Sequence, residues 1–84
     1  MIRVVAARPL SDSLIWVRFN DGVEAEIDLG DELHGTVFEP LRDAAYFRKV
    51  KVNPEIHTVV WPNGADFAPE FLYAKVAVPP LTPR

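Results

Sequence analysis

The residues with the most obvious chemical potential are the only two imidazoles, His34 and His57, together with the carboxylate of Asp66. Zinc takes three or four nitrogen, sulfur or carboxylate ligands, and neither a His-x-His nor a His-Glu-x-x-His run occurs here. A metal site therefore requires a fold that gathers His34, His57 and Asp66, and an enzyme or metabolite-binding site requires a pocket lined by His57, Asp66 and Tyr73. Glu24, Glu26 and Asp28 alternate with apolar residues, so on a strand all three project from one face, with neighbours about 7 Å apart. Calcium and magnesium draw their oxygens from loops that wrap the ion. A flat row of carboxylates reads instead as a solvated strand face, with Arg18 placed to neutralise Glu24. Ser11 and Ser13 lie in a polar turn without the glycine-flanked elbow of a nucleophilic serine. The four glycines are dispersed and none precedes Lys-Ser or Lys-Thr, which removes a phosphate-cradling loop. The sequence assigns no catalytic residue, no metal ligand set and no cofactor.

Aromatic residues beside polar ones carry more of the functional weight. Trp16 alternates with Ile15 and Val17, which places its indole on the polar face beside Arg18 and across from Glu26. Large aromatics on a polar face mark contact surfaces, and the competing role for Trp16 is packing beneath a helix or the tail. Trp61-Pro62-Asn63-Gly64-Ala65-Asp66 joins a tryptophan, a tight turn and a carboxylate. Trp61, Asn63 and Asp66 could anchor a partner, although a core tryptophan, a turn and a helix cap account for the same residues. Pro80-Leu81-Thr82-Pro83 fits the Pro-x-x-Pro pattern of polyproline ligands, a pattern also common in disordered segments.

Composition narrows the function classes. With nine basic against twelve acidic residues the net charge is -3, so the field of the whole molecule does not attract phosphate backbones or anionic lipid. Nucleic-acid binding is not expected. Arg48, Lys49 and Lys51 form the one basic patch, but Val50 and Val52 alternate with it as on the wet face of a strand. The absence of cysteine removes disulfide staples and thiolate chemistry and fits a reducing cytoplasm. Arg3 and Arg8 interrupt the apolar N-terminus before a signal-peptide core can form, and no later run approaches the length of a membrane span. The expectation is a cytoplasmic chain without membrane insertion. At 84 residues, 49% of them apolar and 25% charged, the chain has material for a single hydrophobic core.

These side chains must be positioned by hairpins. Val4 to Pro9 reads as a strand. Ile15, Val17 and Phe19, then Val23, Ala25 and Ile27 after Asn20-Asp21-Gly22, give two strands of period two. A two-residue loop would pair Phe19 with Glu24 and mix core with solvent. A three-residue loop pairs Phe19 with Val23, Val17 with Ala25, Ile15 with Ile27, Arg18 with Glu24 and Trp16 with Glu26, and asks Gly22 for a left-handed backbone. Leu29 to Gly35 suggests a helical turn, and Pro40 to Phe47 one short helix with Leu41, Ala44 and Ala45 on one face. Lys49–Val52 and Ile56–Trp61 make a second hairpin around Asn53-Pro54-Glu55, with its second strand central and covered on both sides. Trp61 faces Ala65 across another turn with Gly64 left-handed, an edge strand passes through Phe67, and Pro69 opens a last helical turn that Asp66 is placed to cap. The fold class expected is α+β: an antiparallel sheet of about five strands built from hairpins, with one or two short helices on one face. Residues 1–76 form a single domain and 77–84 a flexible, proline-rich tail.

The order Asn20-Asp21-Gly22, Asp28-Leu29, Phe38-Glu39-Pro40-Leu41, Phe47, Trp61-Pro62-Asn63-Gly64-Ala65-Asp66 and Leu72-Tyr73 resembles the small bacterial family known as domain of unknown function 2442. The Trp-Pro-Asn-Gly-x-Asp run followed by Leu-Tyr is its most specific part, and the similarity covers all but about the last eight residues. The resemblance implies a compact α+β domain, sometimes fused to a helix-turn-helix module and sometimes encoded beside a small partner in toxin–antitoxin-like pairs. It carries no catalytic residue to this chain. The functional expectation is a protein-interaction or regulatory domain that contacts a protein partner or a second copy through Trp16, Arg18 and Glu26, and through Trp61, Asn63 and Asp66.

Overall fold

The computed structural model describes residues 1–77. β1 (Val4–Pro9), β2 (Leu14–Phe19) and β3 (Glu24–Asp28) form a three-stranded antiparallel sheet in that order. The β2–β3 register has Ile15 opposite Ile27, Trp16 opposite Glu26, Val17 opposite Ala25 and Arg18 opposite Glu24. The loop closes as expected, with Phe19 N–H donating to the Val23 carbonyl at 2.8 Å and Gly22 N–H to the Phe19 carbonyl at 3.0 Å. Gly22 has φ +91°, a conformation that costs about 1 kcal/mol or more for any residue with a Cβ. One face of the sheet is thereby committed to the interior: Val4, Ile15, Val17, Phe19 and Ile27 are all buried. Each such aliphatic or aromatic side chain contributes about 1.5–3 kcal/mol by leaving water.

β1 contains an irregularity. Val4 pairs with Phe19, but Ala6 pairs with Arg18, so one extra residue, Val5, is bulged out and exposed. Past the bulge, Ala7 opposes Val17 and Arg8 opposes Trp16, which returns alternate residues to the inner and outer faces.

The sheet gives way to a short 3₁₀ turn at Gly30–Glu32. Asp28 accepts hydrogen bonds from the Gly30 N–H and the Ser13 hydroxyl, both at 2.8 Å. A Cβ on Gly30 would lie 3.1 Å from both Asp28 Oδ1 and Ser13 Oγ, so glycine lets the chain approach its own cap. Leu29 and Leu33 drop into the core on either side of this turn.

The single helix expected over residues 40–47 is broken in two. A 3₁₀ turn at Glu39–Arg42 precedes α1 (Ala44–Phe47), because Asp43 takes an extended backbone and its carboxylate accepts from Ala45 N–H. An aspartate favours this capping role over a helix interior. The inward face consequently carries Leu41 and Phe47, whereas Ala44 and Ala45 are exposed.

The expected single sheet of about five strands resolves into two sheets. β4 (Lys51–Asn53) and β5 (Thr58–Val60) form a separate antiparallel pair, with Val52 opposite Val59. Their loop differs from the turn centred on Asn53-Pro54-Glu55: it spans Pro54 to His57, with His57 N–H bonded to the Asn53 carbonyl and His57 itself at φ +60°. Asn53 Oδ1 accepts from Glu55 N–H, which supports the turn locally. The two sheets touch where Val4 N–H donates to the His57 carbonyl at 2.8 Å; the bulge at Val5 turns the strand before a longer ladder can form. The far edge of β5 carries a lone antiparallel bridge from Val60 to Asp66 in place of a full edge strand. Thr58 and Val59 are buried, while Ile56 is 45% exposed.

α2 (Pro69–Ala77) closes the core on the inner side of the first sheet. Leu72 is fully buried, and Tyr73 packs edge-on against Phe19 with ring centroids 4.9 Å apart. The first helical bond runs from Leu72 N–H to the Ala68 carbonyl, so Ala68 occupies the capping position and Asp66, engaged in the bridge, stands outside it. Of the proline-rich tail expected over residues 77–84, Ala77 is the last residue of α2, and residues 78–84 lie outside the described residues.

Candidate functional site

The first sheet has an outer face that follows from its register. One row across it reads Arg8, Trp16, Glu26 from β1 through β2 to β3, and the next reads Ala6, Arg18, Glu24. Beyond Trp16 on the other side lies Leu14 opposite Asp28. α2 packs on the opposite, buried face through Tyr73 and Phe19, whereas Arg8, Arg18, Glu24 and Glu26 on this one are exposed.

Trp16 sits at the centre of the face, half-buried by its neighbours. The Arg8 guanidinium carbon lies 4.7 Å from the indole centroid and that of Arg18 5.4 Å. Cation–π contacts at exposed positions contribute about 0.5–1 kcal/mol each. Arg18 also bridges to Glu24, with Nη2 3.0 Å and Nε 3.1 Å from Oε2. Both side chains of that pair are about half exposed, at 48% and 47%, so water screens it and its contribution is below about 1 kcal/mol. Arg8 and Glu26 make no ion pair among the described residues. They are two strand spacings apart, about 10 Å, with the indole between them.

The Trp61–Asp66 segment is organised differently. Trp61 is 1% exposed and donates its indole N–H to the Phe47 carbonyl at 2.9 Å. Its ring meets Phe47 at 5.6 Å and Phe67 at 5.9 Å between centroids. Trp61 N–H bonds to the Ala65 carbonyl, and Gly64 takes φ +89° as the turn requires. Asn63 is exposed yet engaged at both ends of its amide, accepting from Ala65 N–H and donating to the Val37 carbonyl. Asp66 is exposed. This loop is a scaffold with a polar rim, and its indole belongs to the core.

His34 and His57 are exposed, and no group of three or more His, Asp or Glu side chains able to hold a metal ion occurs among the described residues. The Tyr73 hydroxyl donates to Asp21 at 2.6 Å, so it is directed to the hairpin turn instead of a pocket shared with His57 and Asp66. That bond holds the Asp21 carboxyl below the usual carboxylate range and raises the Tyr73 phenol above its ordinary value. Asp28 is likewise lowered, first by the Gly30 N–H and then by the Ser13 hydroxyl. Arg48, Lys49 and Lys51 are exposed while Val50 and Val52 are half-buried, but the three basic residues do not share the expected strand face: β4 begins at Lys51, and Arg48 and Lys49 lie in the turn that ends α1, with Lys49 N–H bonded to the Tyr46 carbonyl.

Sequence reasoning missed Arg8, because the pairing of β1 with β2 depends on the bulge at Val5. It also missed the Tyr73–Asp21 bond and the Lys75–Glu32 ion pair at 3.2 Å, which tie α2 back to the hairpin tip and to the 3₁₀ turn after β3. No local pattern encodes such long-range polar contacts.

A family model covers residues 4–77, from the first residue of β1 to the last of α2, and its description is Protein of unknown function (DUF2442). The chain belongs to this family. Neither a curated protein nor a solved structure gives a significant match. Within the DUF2442 span, the residues that carried the resemblance have structural work: Gly22 and Gly64 shape turns, Asp28 caps one, and Leu41, Phe47, Trp61 and Leu72 are buried in the core. Trp16 needs another explanation.

No helix among the described residues is long and apolar enough to cross a membrane.

Proposed function

We propose that the chain is a cytoplasmic protein-interaction or regulatory domain whose contact surface is the outer face of the β1–β2–β3 sheet, centred on Trp16 with Arg18 and Glu26 beside it. The observation that carries this reading is the position of Trp16: a large indole at the middle of a charged face that α2 and the second sheet leave uncovered among the described residues. Water-facing strand positions are ordinarily filled by polar or β-branched residues, and a tryptophan flanked by arginine and carboxylate is the composition of an interface centre. The guanidinium groups over the indole hold the ring in one orientation, which lowers the entropy lost on docking. The loop from Trp61 to Asp66 adds a second, smaller contact, in which exposed Asn63 and Asp66 meet the partner and buried Trp61 keeps the turn rigid. The family resemblance supports a setting in which the domain is one half of a two-gene, toxin–antitoxin-like module.

The test compares proteins retained from a host extract by the wild-type chain, by Trp16→Ala and by a Lys49→Glu/Lys51→Glu control, each checked for folding by circular dichroism. A partner retained by wild type and control but lost with Trp16→Ala is the expected result. Equal retention by all three refutes the surface.

A further inference from the structure

Resting on that reading of the Trp16 face, we infer that its occupant is a second copy of this chain, stacked face to face about a two-fold axis parallel to β2. The argument is one of charge complementarity across a single row. Arg8 on β1 and Glu26 on β3 flank Trp16 at the same level of the sheet. Neither has an ion-pair partner among the described residues, and the indole between them keeps them from each other. Turning a second copy over about an axis along β2 lays its β3 above the first copy's β1. Each Arg8 then faces the other copy's Glu26, and the two Trp16 side chains meet on the axis, with Leu14 beside them. Facing sheets pack about 10 Å apart, a gap that arginine and glutamate side chains span.

The other arrangements fail on the same residues. A two-fold axis perpendicular to the strands sets Arg8 over Arg8 and Glu26 over Glu26. Pairing two copies edge to edge along β3 brings Glu24, Glu26 and Asp28 of one chain against the same carboxylates of the other, the usual way an edge strand is kept from pairing. Arg18 is paired with its own Glu24, which offsets the like charge of its symmetry mate. Isologous interfaces demand this kind of self-complementary patch.

The face is small. Three strands about 4.8 Å apart and five residues long give a footprint of roughly 250 Å², against about 800 Å² per partner in a standard interface. The dimer is therefore weak and concentration-dependent, with affinity at the micromolar-to-millimolar end of the scale.

Sedimentation velocity from ~50 µM to ~1 mM, the range that such affinities require, tests this on the full chain. Wild type is expected to shift towards dimer with concentration. Arg8→Glu and Glu26→Arg alone are each expected to weaken association by about tenfold or more, since both symmetry-related pairs become repulsive. An equimolar mixture of the two variants is expected to associate again, because every facing pair is then of opposite sign. Wild type that stays monomeric throughout, or variants that do not re-associate on mixing, overturn the inference. A monomeric chain that still loses its host partner on Trp16→Ala removes only the second copy and leaves the docking face standing. A dimer indifferent to Trp16→Ala and to both charge reversals forms through another surface and likewise overturns the inference, while the docking face stands or falls on the retention test.

Discussion

Replacing Trp61 by phenylalanine separates a structural tryptophan from a functional one. The indole N–H donates to the Phe47 carbonyl at 2.9 Å, and the side chain is 1% exposed. Phenylalanine keeps an aromatic ring but withdraws the donor; the Phe47 carbonyl still accepts from the Val50 N–H at 3.2 Å, so the cost is that of one hydrogen bond, about 0.5–1.5 kcal/mol. The smaller ring also leaves a gap between Phe47 and Phe67 and removes apolar contact comparable to one or two methylenes, about 1 kcal/mol at 0.8 kcal/mol each. The sum is about 1.5–2.5 kcal/mol, a large share of the stability of a domain of this size, which lies towards ~5 kcal/mol. Urea denaturation followed by far-ultraviolet circular dichroism measures it: with a slope near 1 kcal/mol/M, the midpoint should fall by roughly 1.5–2.5 M. Trp16→Ala, which removes a side chain from the wet face, should lower the midpoint by about 1–2 M at most through the two lost cation–π contacts. If Trp61→Phe leaves the midpoint where it stands in wild type, the assignment of Trp61 to the core is wrong.

Two further outcomes follow from local geometry. Gly22→Ala forces a Cβ into φ +91° with no other contact within 4 Å, so the cost is backbone strain alone, about 1–2 kcal/mol; a thermal midpoint unchanged from wild type would contradict the three-residue loop. Asp21 and Asp28 both hold their protons less tightly folded than unfolded, so their stabilisation is present above the unfolded value near 3.8 and is lost as pH falls through the lower folded values. Asp28→Asn should flatten the loss of stability on acidification below that pH, and an acid limb identical to that of wild type refutes the Gly30 and Ser13 bonds.

How far the fold was readable depended on whether a feature was local. The β2–β3 hairpin followed from a period of two on both sides of Asn20-Asp21-Gly22, because only one loop length keeps Phe19, Val17 and Ile15 opposite apolar partners. β1 carried no such constraint: with Val5 bulged, the residue opposite Trp16 is Arg8, a pairing that alternation alone does not single out. Asp43 breaks the helix expected over 40–47 because its carboxylate caps Ala45, a competition between side chain and backbone that apolar spacing does not register. The division into two sheets is a tertiary outcome as well, set by the bulge at Val5, the length of the Pro54–His57 loop and the left-handed His57.

The same distinction bears on where function lies. Gly22, Gly64, Asp28, Trp61 and Leu72 each satisfy a demand of the backbone or the core, so a chain lacking them would fold poorly whatever it bound. Trp16 satisfies no such demand: its row could be filled by threonine or lysine with the hairpin register intact, since Ile15, Val17 and Ile27 already secure the inner face. Placing an indole there leaves apolar surface beside water and draws two arginines over it. Substituting Trp16 should therefore alter what the domain associates with far more than whether it folds.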